Sequence, residues 1–392
     1  MALHTLDRQQ ALVDPVWGGF YRYAEQADWS EPHYEKMLTI QAANLRNYLE
    51  AIQLGNDPSY RTVANSIVNY VWNFLTDHAQ AHFWESQDAD LRSPDGATLL
   101  SGSEFFALNV EKRTIQGHPF IDRRVFTGSN AHMAEVFLKA SWILDRPELY
   151  DLALRVIRKL DKERWHPDRG LLHASTGDGV AVAGLLSDHI QFGRALVAGY
   201  QAAGDNALLQ RAEELAAITQ KLLEDAESGG FFDRVPEQQG FGLLKMPLKP
   251  ALENFYTALW YLDLFHLTQR REFKVTAERT IRSVISRQQP VPIALMGTVM
   301  DRWFRGSVQI AVVGEPNDPR TLALIEEVRR FYYPGKLLRR FNPEQEPPHW
   351  GEITFPYHGE PVAFACTDRL CSPPVKFPED LHENIFNIVD QN

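Results

Sequence analysis

The chain has 392 residues, of which 44% are hydrophobic and 11% aromatic, and its formal net charge is −11. This composition indicates a folded globular protein with an ample core and excludes a disordered chain. The acidic balance argues against nucleic-acid binding, which depends on clustered Lys and Arg. The basic runs Arg329-Arg330 and Arg339-Arg340 are short and are expected to be solvated faces.

The apolar segments and the cysteines narrow the class of protein further. The start "MALHTLDRQQ" lacks the apolar core of a signal peptide, and no run approaches the roughly 18 apolar residues of a bilayer span. Cys366 and Cys371 form no zinc motif and lack thioredoxin spacing, so we expect structural cysteines. The sequence therefore predicts a soluble cytoplasmic protein that uses no metal and no cofactor.

In chain order, a helical hairpin recurs four times. In each copy a strongly apolar helix ends at a polar turn, and a second helix follows. The first helices are predicted over 33–53, 130–144, 188–203 and 253–268. The turns are "LGNDPSY" (54–60), "LDRPELY" (144–150), "AGDNALL" (203–209) and "TQRREF" (268–273).

The two helices of each hairpin differ in character. The first is apolar on more than one face, which is typical of burial on both sides, whereas the second is charged and amphipathic. In each second helix a large apolar residue precedes an alanine by four positions, which places both on one face. These pairs are Tyr60/Ala64, Leu149/Ala153, Leu208/Ala212 and Phe273/Ala277. Alternating buried and amphipathic helices predict an inner ring within an outer ring, which is an α/α toroid.

Long loops rich in Gly, aromatic and acidic residues join one hairpin to the next. In a toroid they would gather at the mouth, beside the inner-helix N-termini, where function usually lies. The loops are 17–23, 81–96, 169–179 and 228–236. After residue 305 the pattern changes to strand, turn, helix and strand, so we expect a toroid over 1–305 and a small α/β segment over 306–392.

The stretch "DPVWGGFYRYAEQADWSEPHYEKM" (14–37) is an unusual sequence to precede a helix. Ser30 is predicted to be the N-cap, with Glu31 and Pro32 in the first turn. His33 would then lie where the helix dipole disfavours an imidazolium, and a neutral imidazole suits a general base. In such a helix Glu35, two residues further on, would point in a different direction from His33, so the two would not form a pair. We therefore interpret the stretch as part of a mouth.

The same stretch resembles the signature of the spermatogenesis-associated, thioredoxin-domain protein family. The resemblance continues through "SQDAD" (86–90), "SGGFF" (228–232), "VQIAVVG" (308–314) and "CTDRLCSPPV" (366–375). It implies a mainly α fold, an α/α toroid of the six-hairpin glycosidase type. That superfamily includes N-acylglucosamine 2-epimerases and several glycoside hydrolases.

The chain also departs from the family pattern. The family's thioredoxin-like domain has no counterpart here, and the resemblance implies that part of one toroid hairpin is missing at the N-terminus. A family Glu corresponds to Gln87, and other polar blocks of the mouth are replaced. The residues that stand in place of the family's blocks are Asp122-Arg123-Arg124, Ser129-Asn130-Ala131 and Asp188-His189-Ile190. These changes leave open an altered or lost activity.

Candidate site residues fall in the mouth loops and at the inner-helix starts. The candidate catalytic residues are His33, Glu35, Asp88, Asp90, His189 and Glu253. The candidate substrate-binding residues are Trp17, Tyr21, Trp84, Asn130, Asp188 and Asn254. In the toroid His33, His189 and Glu253 would ring one mouth. Each candidate also has a structural alternative, as a cap, a packing residue or a filler of the loop cores.

Three functions fit these observations. The first is a carbohydrate-active enzyme acting on a sugar or sugar derivative by general acid/base catalysis. Two histidines would suit an epimerase or isomerase, and paired carboxylates would suit a glycoside hydrolase. The second is an inactive sugar-binding or protein-interaction scaffold. The third is a protein that works with a separate thioredoxin-like partner.

Overall fold

The computed structural model describes residues 1–55, 57–166, 168–174, 182–235, 242–287, 290–345 and 347–390. Contacts divide the chain into two compact units. Unit 1 comprises Met1–Arg164 with Ala174, and unit 2 comprises Trp165–His173 and the described residues from Val182 onward. The end of the predicted loop 169–179 and residue 236 of the loop 228–236 lie outside the described residues.

Unit 1 contains seven of the described helices and nine short strands. The helices are α1 (Ala2–Gln9), α2 (Leu38–Leu54), α3 (Pro58–Phe74), α4 (Gly102–Phe106), α5 (Val110–Gln116), α6 (Thr127–Ile143) and α7 (Pro147–Glu163), and Gln10–Leu12 is a 3₁₀ turn. The strands are β1 (Tyr23–Ala24), β2 (Pro32–His33), β3 (Lys36–Met37), β4 (Thr76–Asp77), β5 (His82–Phe83), β6 (Ser86–Gln87), β7 (Leu91–Arg92), β8 (Thr98–Leu100) and β9 (Ile121–Asp122).

Unit 2 carries the remaining helices and the longer strands. Its helices are α8 (Leu186–Ala203), α9 (Asn206–Leu223), α10 (Ala251–Thr268), α11 (Arg271–Ile285), α12 (Ile293–Arg305), α13 (Pro319–Arg330) and α14 (Pro378–Asp390), and Gly242–Lys245 is a 3₁₀ turn. Its strands are β10 (Trp165–His166), β11 (Gly170–Leu171), β12 (Val308–Val313), β13 (Lys336–Phe341), β14 (His349–Trp350), β15 (Ile353–Thr354) and β16 (Val362–Cys366).

The four predicted hairpins are confirmed as the packed pairs α2/α3, α6/α7, α8/α9 and α10/α11. The polar turns end one helix and begin the next. Asp57 caps α3 by accepting a hydrogen bond from the Ser59 N–H at 2.8 Å, and Asp205 caps α9 in the same way. Gly204, at φ +72°, ends α8 in the left-handed conformation that favours glycine.

The burial pattern separates inner from outer helices, as expected. The inner helices α6 and α10 have buried residues around most of their circumference, whereas α7 and α11 bury one stripe. Every predicted pair of a large apolar residue and an alanine is buried. The first inner helix begins at Leu38 rather than at residue 33.

The C-terminal segment has its own small core. β12 lies between β13, which is parallel to it, and β16, which is antiparallel. Helices α13 and α14 cover this sheet with residues such as Leu324, Ile325 and Leu381. The two cysteines, which we expected to be structural, form a Cys366–Cys371 disulfide at the end of β16. The domain boundary after residue 305 stays a prediction.

None of the helices in the described ranges is both long and apolar enough to cross a membrane.

Candidate functional site

The predicted helix start at Ser30 is wrong, because this stretch folds as a two-stranded hairpin. β1 pairs with β2, and Tyr23 faces His33. Ser30 does not cap a helix, since its own N–H and hydroxyl donate to the Asp28 carboxylate at 3.0 and 2.5 Å. His33 therefore lies on a strand, and the expected effect of a helix dipole on its imidazole does not apply.

A three-stranded sheet next to this hairpin places two candidate carboxylates opposite each other. β6 lies between β3 and β9 and is antiparallel to both. Lys36 pairs with Gln87, so the adjoining residues Glu35 and Asp88 stand at facing positions. Side chains alternate between the faces of a strand. Glu35 and Asp88 are accordingly half-buried on one face, whereas Lys36 and Gln87 are buried on the other.

The environment of Asp88 favours its protonated form. Burial raises the pKa of the Asp88 carboxyl, and the negative charges of Glu35, Asp122 and Asp90 raise this pKa further, while Arg92 opposes them. Asp122 lies on β9, opposite Ser86 of β6, and so belongs to the same sheet. A carboxyl group with a raised pKa can hold a proton and deliver it to a substrate.

Glu35 stands in a more polar setting than Asp88. The Arg22 guanidinium donates a hydrogen bond from Nη1 to Glu35 Oε2 at 2.8 Å. His33 Nδ1 lies 4.0 Å from the same oxygen, and the His33 ring stacks on Tyr23 with 5.0 Å between ring centroids. The face thus combines a carboxyl whose pKa is raised with a carboxylate beside a cation. We name Glu35, Asp88 and Asp122 the acid face.

Asp90 has a different task from Asp88. One of its carboxylate oxygens accepts a hydrogen bond from the Gly102 N–H at 2.9 Å, and the other accepts one from Arg92 at 2.8 Å. Gly102 is the first residue of α4, and Ser101 and Glu104 form a capping box there. Asp90 therefore helps to fix the start of α4, which matches the structural alternative.

Two candidate binding aromatics line a buried ion cluster. Asp14 Oδ2 lies 2.6 Å from Lys36 Nζ and 2.7 Å from Arg113 Nη1, and these three side chains are inaccessible to solvent. The Arg113 guanidinium lies 5.0 Å from the centre of the Trp17 ring, and Tyr21 is buried beside Lys36. Burial lowers the pKa of Lys36 to about 8, although Asp14 opposes this effect. A sugar-binding role of Trp17 and Tyr21 stays a prediction.

The Trp84 ring is covered on one face by another residue of its own unit. The guanidinium of Arg123 lies 4.7 Å from the ring centre, a cation–π arrangement. Arg123 belongs to the Asp122-Arg123-Arg124 block, where the sequence departs from the family pattern. The arrangement puts a positive charge where an open sugar platform was expected.

The fourth residue of three inner helices binds the backbone of a loop phenylalanine on both sides. Its side-chain oxygen accepts from the phenylalanine N–H at 2.7 Å, and its amide nitrogen donates to the C=O of the same residue at 2.8–3.0 Å. The pairs are Gln41 with Phe20, Asn130 with Phe83, and Asn254 with Phe231. All six residues are fully buried. We call this arrangement the loop clamp.

In α8 the fourth residue is His189, and it forms a one-bond version of the clamp. The Leu171 N–H donates to His189 Nε2 at 3.0 Å, so the ring proton resides on Nδ1, which donates to Thr219 Oγ1 at 2.9 Å. The Leu171 C=O already accepts from the Gly184 N–H at 2.9 Å. At Gly170, with φ +77°, a Cβ would lie 2.4 Å from the His189 ring.

Burial lowers the pKa of His189 to about 3. The ring is fully buried, and both of its nitrogens are engaged inside unit 2. A general base must reach a proton of the substrate. This geometry therefore supports the structural alternative for His189, just as the clamp does for Asn130 and Asn254.

Two further candidates of unit 2 lie near the starts of α8 and α10. Asp188 is buried, and its Oδ2 lies 2.9 Å from Nδ1 of the partly exposed His173. Glu253 lies half-buried in the first turn of α10. The predicted common mouth of His33, His189 and Glu253 stays a prediction.

Three features of the site are not evident from the sequence, namely Arg22, His173 and the position of Asp122 on the acid face. Arg22 and His173 lie in the predicted mouth loops 17–23 and 169–179 but were not selected there, and Asp122 becomes informative only through its strand pairing with Ser86. Within the described residues, no group of three or more His, Cys, Asp or Glu side chains is placed to hold a metal ion.

The predicted family resemblance is confirmed by two relatives, although no family model matches the chain. The chain is 24% identical to spermatogenesis-associated protein 20 of Homo sapiens, over 98% of this chain and 62% of that relative. It is also 24% identical to the protein of the same name in Rattus norvegicus, over 86% of this chain and 55% of that relative. The chain thus spans somewhat more than half the length of these relatives.

Solved structures resemble the chain in fold. A family 76 glycoside hydrolase from a bovine Bacteroides thetaiotaomicron strain matches with a TM-score of 0.55 and 14% identity, over 77% of this chain and 63% of that chain. A family 76 glycoside hydrolase described as a mannosidase, from Bacteroides thetaiotaomicron VPI-5482, gives 0.53 and 12%, over 77% and 79%. The predicted fold class is therefore confirmed: mainly α, of the α/α toroid, six-hairpin glycosidase type, with small C-terminal sheets.

Proposed function

We propose that the protein is a carbohydrate-active enzyme that hydrolyses a glycosidic bond at the acid face. Asp88 is the general acid that protonates the leaving oxygen. Glu35 is the carboxylate that attacks the anomeric carbon or activates a water for that attack. The observation that carries this assignment is the facing placement of Glu35 and Asp88, together with the raised pKa of Asp88.

The requirements of glycoside hydrolysis support these roles. Such enzymes use a pair of carboxyl groups, one protonated and one ionised, across the scissile bond. Residues directly opposite in antiparallel strands have Cβ atoms about 4.5–5.5 Å apart, which allows two carboxyl groups to flank one bond. The likeness in fold to two family 76 glycoside hydrolases supports this chemistry by analogy alone.

The test is proton NMR of oligosaccharides incubated with the purified protein in D₂O, beginning with manno-oligosaccharides because one fold neighbour is described as a mannosidase. New anomeric signals are expected from the parent protein and are expected to be lost in Asp88→Asn and in Glu35→Gln. The matched control is Glu25→Gln, which neutralises an exposed glutamate in the turn between β1 and β2. Cleavage that survives in Asp88→Asn would contradict the assigned acid.

The pH dependence gives a second readout of the same assignment. A general acid must be protonated, so the rate falls as the pH rises through the pKa of Asp88. Because burial and neighbouring carboxylates raise this pKa, the loss is displaced upward from the range of an ordinary aspartate. Substituting the neighbour, as in Glu35→Gln, would lower the pKa of Asp88, but that variant also lacks the proposed base. The profile of the parent protein is therefore the informative one.

A second candidate is sugar epimerisation or isomerisation, which His33 favours. Its ring is partly exposed, with 38% of the side chain accessible, and its Nδ1 lies 4.0 Å from the Glu35 carboxylate. Deuterium incorporation beside the carbonyl of a reducing sugar, lost in His33→Ala, would establish this chemistry. His189 is not required for it here, because that ring is engaged in unit 2.

The hypotheses of a sugar-binding scaffold and of a thioredoxin-like partner can be distinguished with the same purified protein. Heat-shift stabilisation by sugars without cleavage or exchange would indicate a sugar-binding scaffold. Pull-down of a thioredoxin-like protein without any sugar binding would indicate the predicted partner. In either case Asp88 and Glu35 would be half-buried carboxylates without a catalytic role.

A further inference from the structure

A cavity of about 520 Å³ lies within unit 1, between the segment 122–125, the end of α7 and His82. Its size falls in the usual range of small-molecule sites. Four cations line it, namely Arg123, Arg124, Lys159 and Arg164, against the two carboxylates of Asp122 and Glu163. The cavity is therefore positive, although the whole chain carries a formal charge of −11.

Both carboxylates of the cavity are already committed to cations. Asp122 binds the guanidinium of Arg124 through both of its oxygens, at 2.5–3.0 Å. Glu163 pairs with Lys159 one helical turn earlier, at 3.3 Å. Arg123 has no such carboxylate partner among the described residues, and its guanidinium carbon lies 4.7 Å from the centre of the Trp84 ring. Arg123 thus presents a positive charge beside an aromatic ring.

The pKa of His82 reflects the positive charge of this cavity. Burial lowers the pKa of its imidazole, Asp77 opposes this, and Lys159 and Arg164 lower the pKa further, with Glu163 acting in the opposite direction. These are the charged groups that act most strongly on the ring. The lowered pKa disfavours the imidazolium, and a neutral ring can donate a hydrogen bond without adding a further positive charge.

The cavity adjoins the acid face through one shared residue. Asp122 lines the cavity, and its charge also acts on the Asp88 carboxyl. A substrate that places its reacting bond against Asp88 can therefore extend toward Arg123. A guanidinium fork matches the geometry of a phosphate or carboxylate group.

We propose that this cavity binds an anionic substituent, phosphate or carboxylate, of the sugar on which the acid face acts. The inference rests on the proposed function for the identity of the ligand as a sugar, but not for the binding of an anion. It assigns the substrate class as a phosphorylated or acidic sugar rather than a neutral one. Arg123 is the recognising residue, Lys159 adds positive charge beside it although it pairs with Glu163, and His82 is a hydrogen-bond donor next to them.

The test is calorimetric titration of the Asp88→Asn protein, so that turnover plays no part. The probes are glucose, glucose 6-phosphate, glucuronate and inorganic phosphate. We expect the anionic sugars to bind more tightly than glucose, and the glucose 6-phosphate and glucuronate arms separate phosphate from carboxylate. Arg123→Gln should weaken the binding of the anionic sugars by about tenfold, since it removes one charged contact, and Lys159→Gln should weaken it by a smaller factor because Lys159 is paired with Glu163.

Lys162→Gln is the matched control, because Lys162 lies on the same helix in an exposed position that does not line the cavity. It should change affinity by less than about twofold. An independent readout is the His82 ring signal in NMR: a bound anion should raise the His82 pKa, and Arg123→Gln should abolish the effect of that anion.

Equal binding of glucose and its anionic counterparts would overturn the proposal, and so would equal losses in Lys162→Gln and Lys159→Gln. Absence of binding for every anionic probe would also overturn it. A failure of the proposed function looks different, because anion binding would then persist while no glycosidic bond is cleaved by the parent protein.

Discussion

The loops "DPVWGGF" (14–20) and "DAESGGF" (225–231) use the same bonds in different surroundings. In each loop the N–H of the first residue, an aspartate, donates to the C=O of the second glycine, at 3.0 and 2.9 Å. Its carboxylate binds a lysine, Lys36 or Lys249, which also donates to the C=O of the first glycine at 2.8 Å. A loop clamp then holds each phenylalanine.

The difference lies in what surrounds the aspartate. The Asp14 side chain is fully buried and carries two cations, Lys36 and Arg113. The Asp225 side chain is 20% exposed, pairs with Lys249, and accepts a further hydrogen bond from the Ser228 hydroxyl at 2.7 Å. Water can replace part of what Asp225 supplies but nothing of what Asp14 supplies. The same local geometry can therefore contribute very different amounts to the free energy of unfolding, depending on how far its charged groups are buried.

The largest expected effect is that of Asp14→Asn. Removing the only carboxylate of the described cluster leaves Lys36 and Arg113 buried with no counter-ion, which costs about 3–5 kcal/mol. Asp225→Asn should cost less, about 1–3 kcal/mol, because the Asp225 side chain is 20% exposed and Lys249 keeps its hydrogen bond to the Ser228 hydroxyl. Urea unfolding of both variants measures the difference. Equal losses would break the comparison between the two loops.

The second effect concerns the clamps themselves. Gln41→Ala or Asn254→Ala leaves a buried N–H and a buried C=O of a phenylalanine without partners. Each unsatisfied group costs about 1–3 kcal/mol, so the two variants should be destabilised by similar amounts. Asn47→Ala, at an exposed position of α2, is the control. A much smaller loss in Asn254→Ala would mean that water enters the loop at 225–231 after truncation.

The third effect extends the comparison to the clamp made by His189. Its folded-state pKa of about 3 lies below the value of about 6.5 in an unfolded chain. Between these values the unfolded state takes up a proton that the folded state does not. Stability is therefore complete above pH 6.5 and falls as the pH decreases, by about 1.4 kcal/mol per pH unit for this residue.

The measurement is the free energy of unfolding between pH 7 and 5. His189→Gln, which keeps a hydrogen-bond acceptor for Leu171, should be less sensitive to acid than the parent protein. His266, whose pKa burial also lowers to about 3, should keep a residual slope in both proteins. His4→Gln, at an exposed position, should leave the slope unchanged. An unaltered slope in His189→Gln would show that this ring is accessible to protons in the folded state.

The hairpins were predictable because burial alone dictates their pattern. A helix that buries most of its circumference must be apolar all round, and a close helix pair needs a small residue such as Ala64 or Ala153. Polar turns with Asp57-Pro58 or Gly204-Asp205 mark the connections directly. These are local signals, and they survive in a single sequence.

The start of α2 was not predictable from the same rules. Ser30-Glu31-Pro32 satisfies the preferences for a helix cap, but Trp29 and Glu31 adopt positive φ values of 70° and 54°, which form a tight turn instead. Asp28 then takes both donors of Ser30. The choice between a cap and a turn depends on the pairing of β1 with β2, which no local rule contains.

The candidate site shows the same division. Glu35 and Asp88 were selected as isolated carboxylates, and only the register of β3 and β6 brings them together. For Asn130, His189 and Asn254, the sequence did hold a signal. Each lies at the fourth position of an inner helix, as does Gln41, and alignment of the four repeats would have indicated a shared structural task.

The clamps also set an order in which the chain can close its connections during folding. The bonded residues are separated by 21 positions at Gln41, 18 at His189 and 23 at Asn254, but by 47 at Asn130. Loop-closure entropy grows with the logarithm of length, so the longest closure costs ~0.7 kcal/mol more than that at Gln41. That connection carries Asp88 and Asp122. Among the three clamps with two hydrogen bonds, the one that closes the segment with the proposed chemistry should therefore be the last to form.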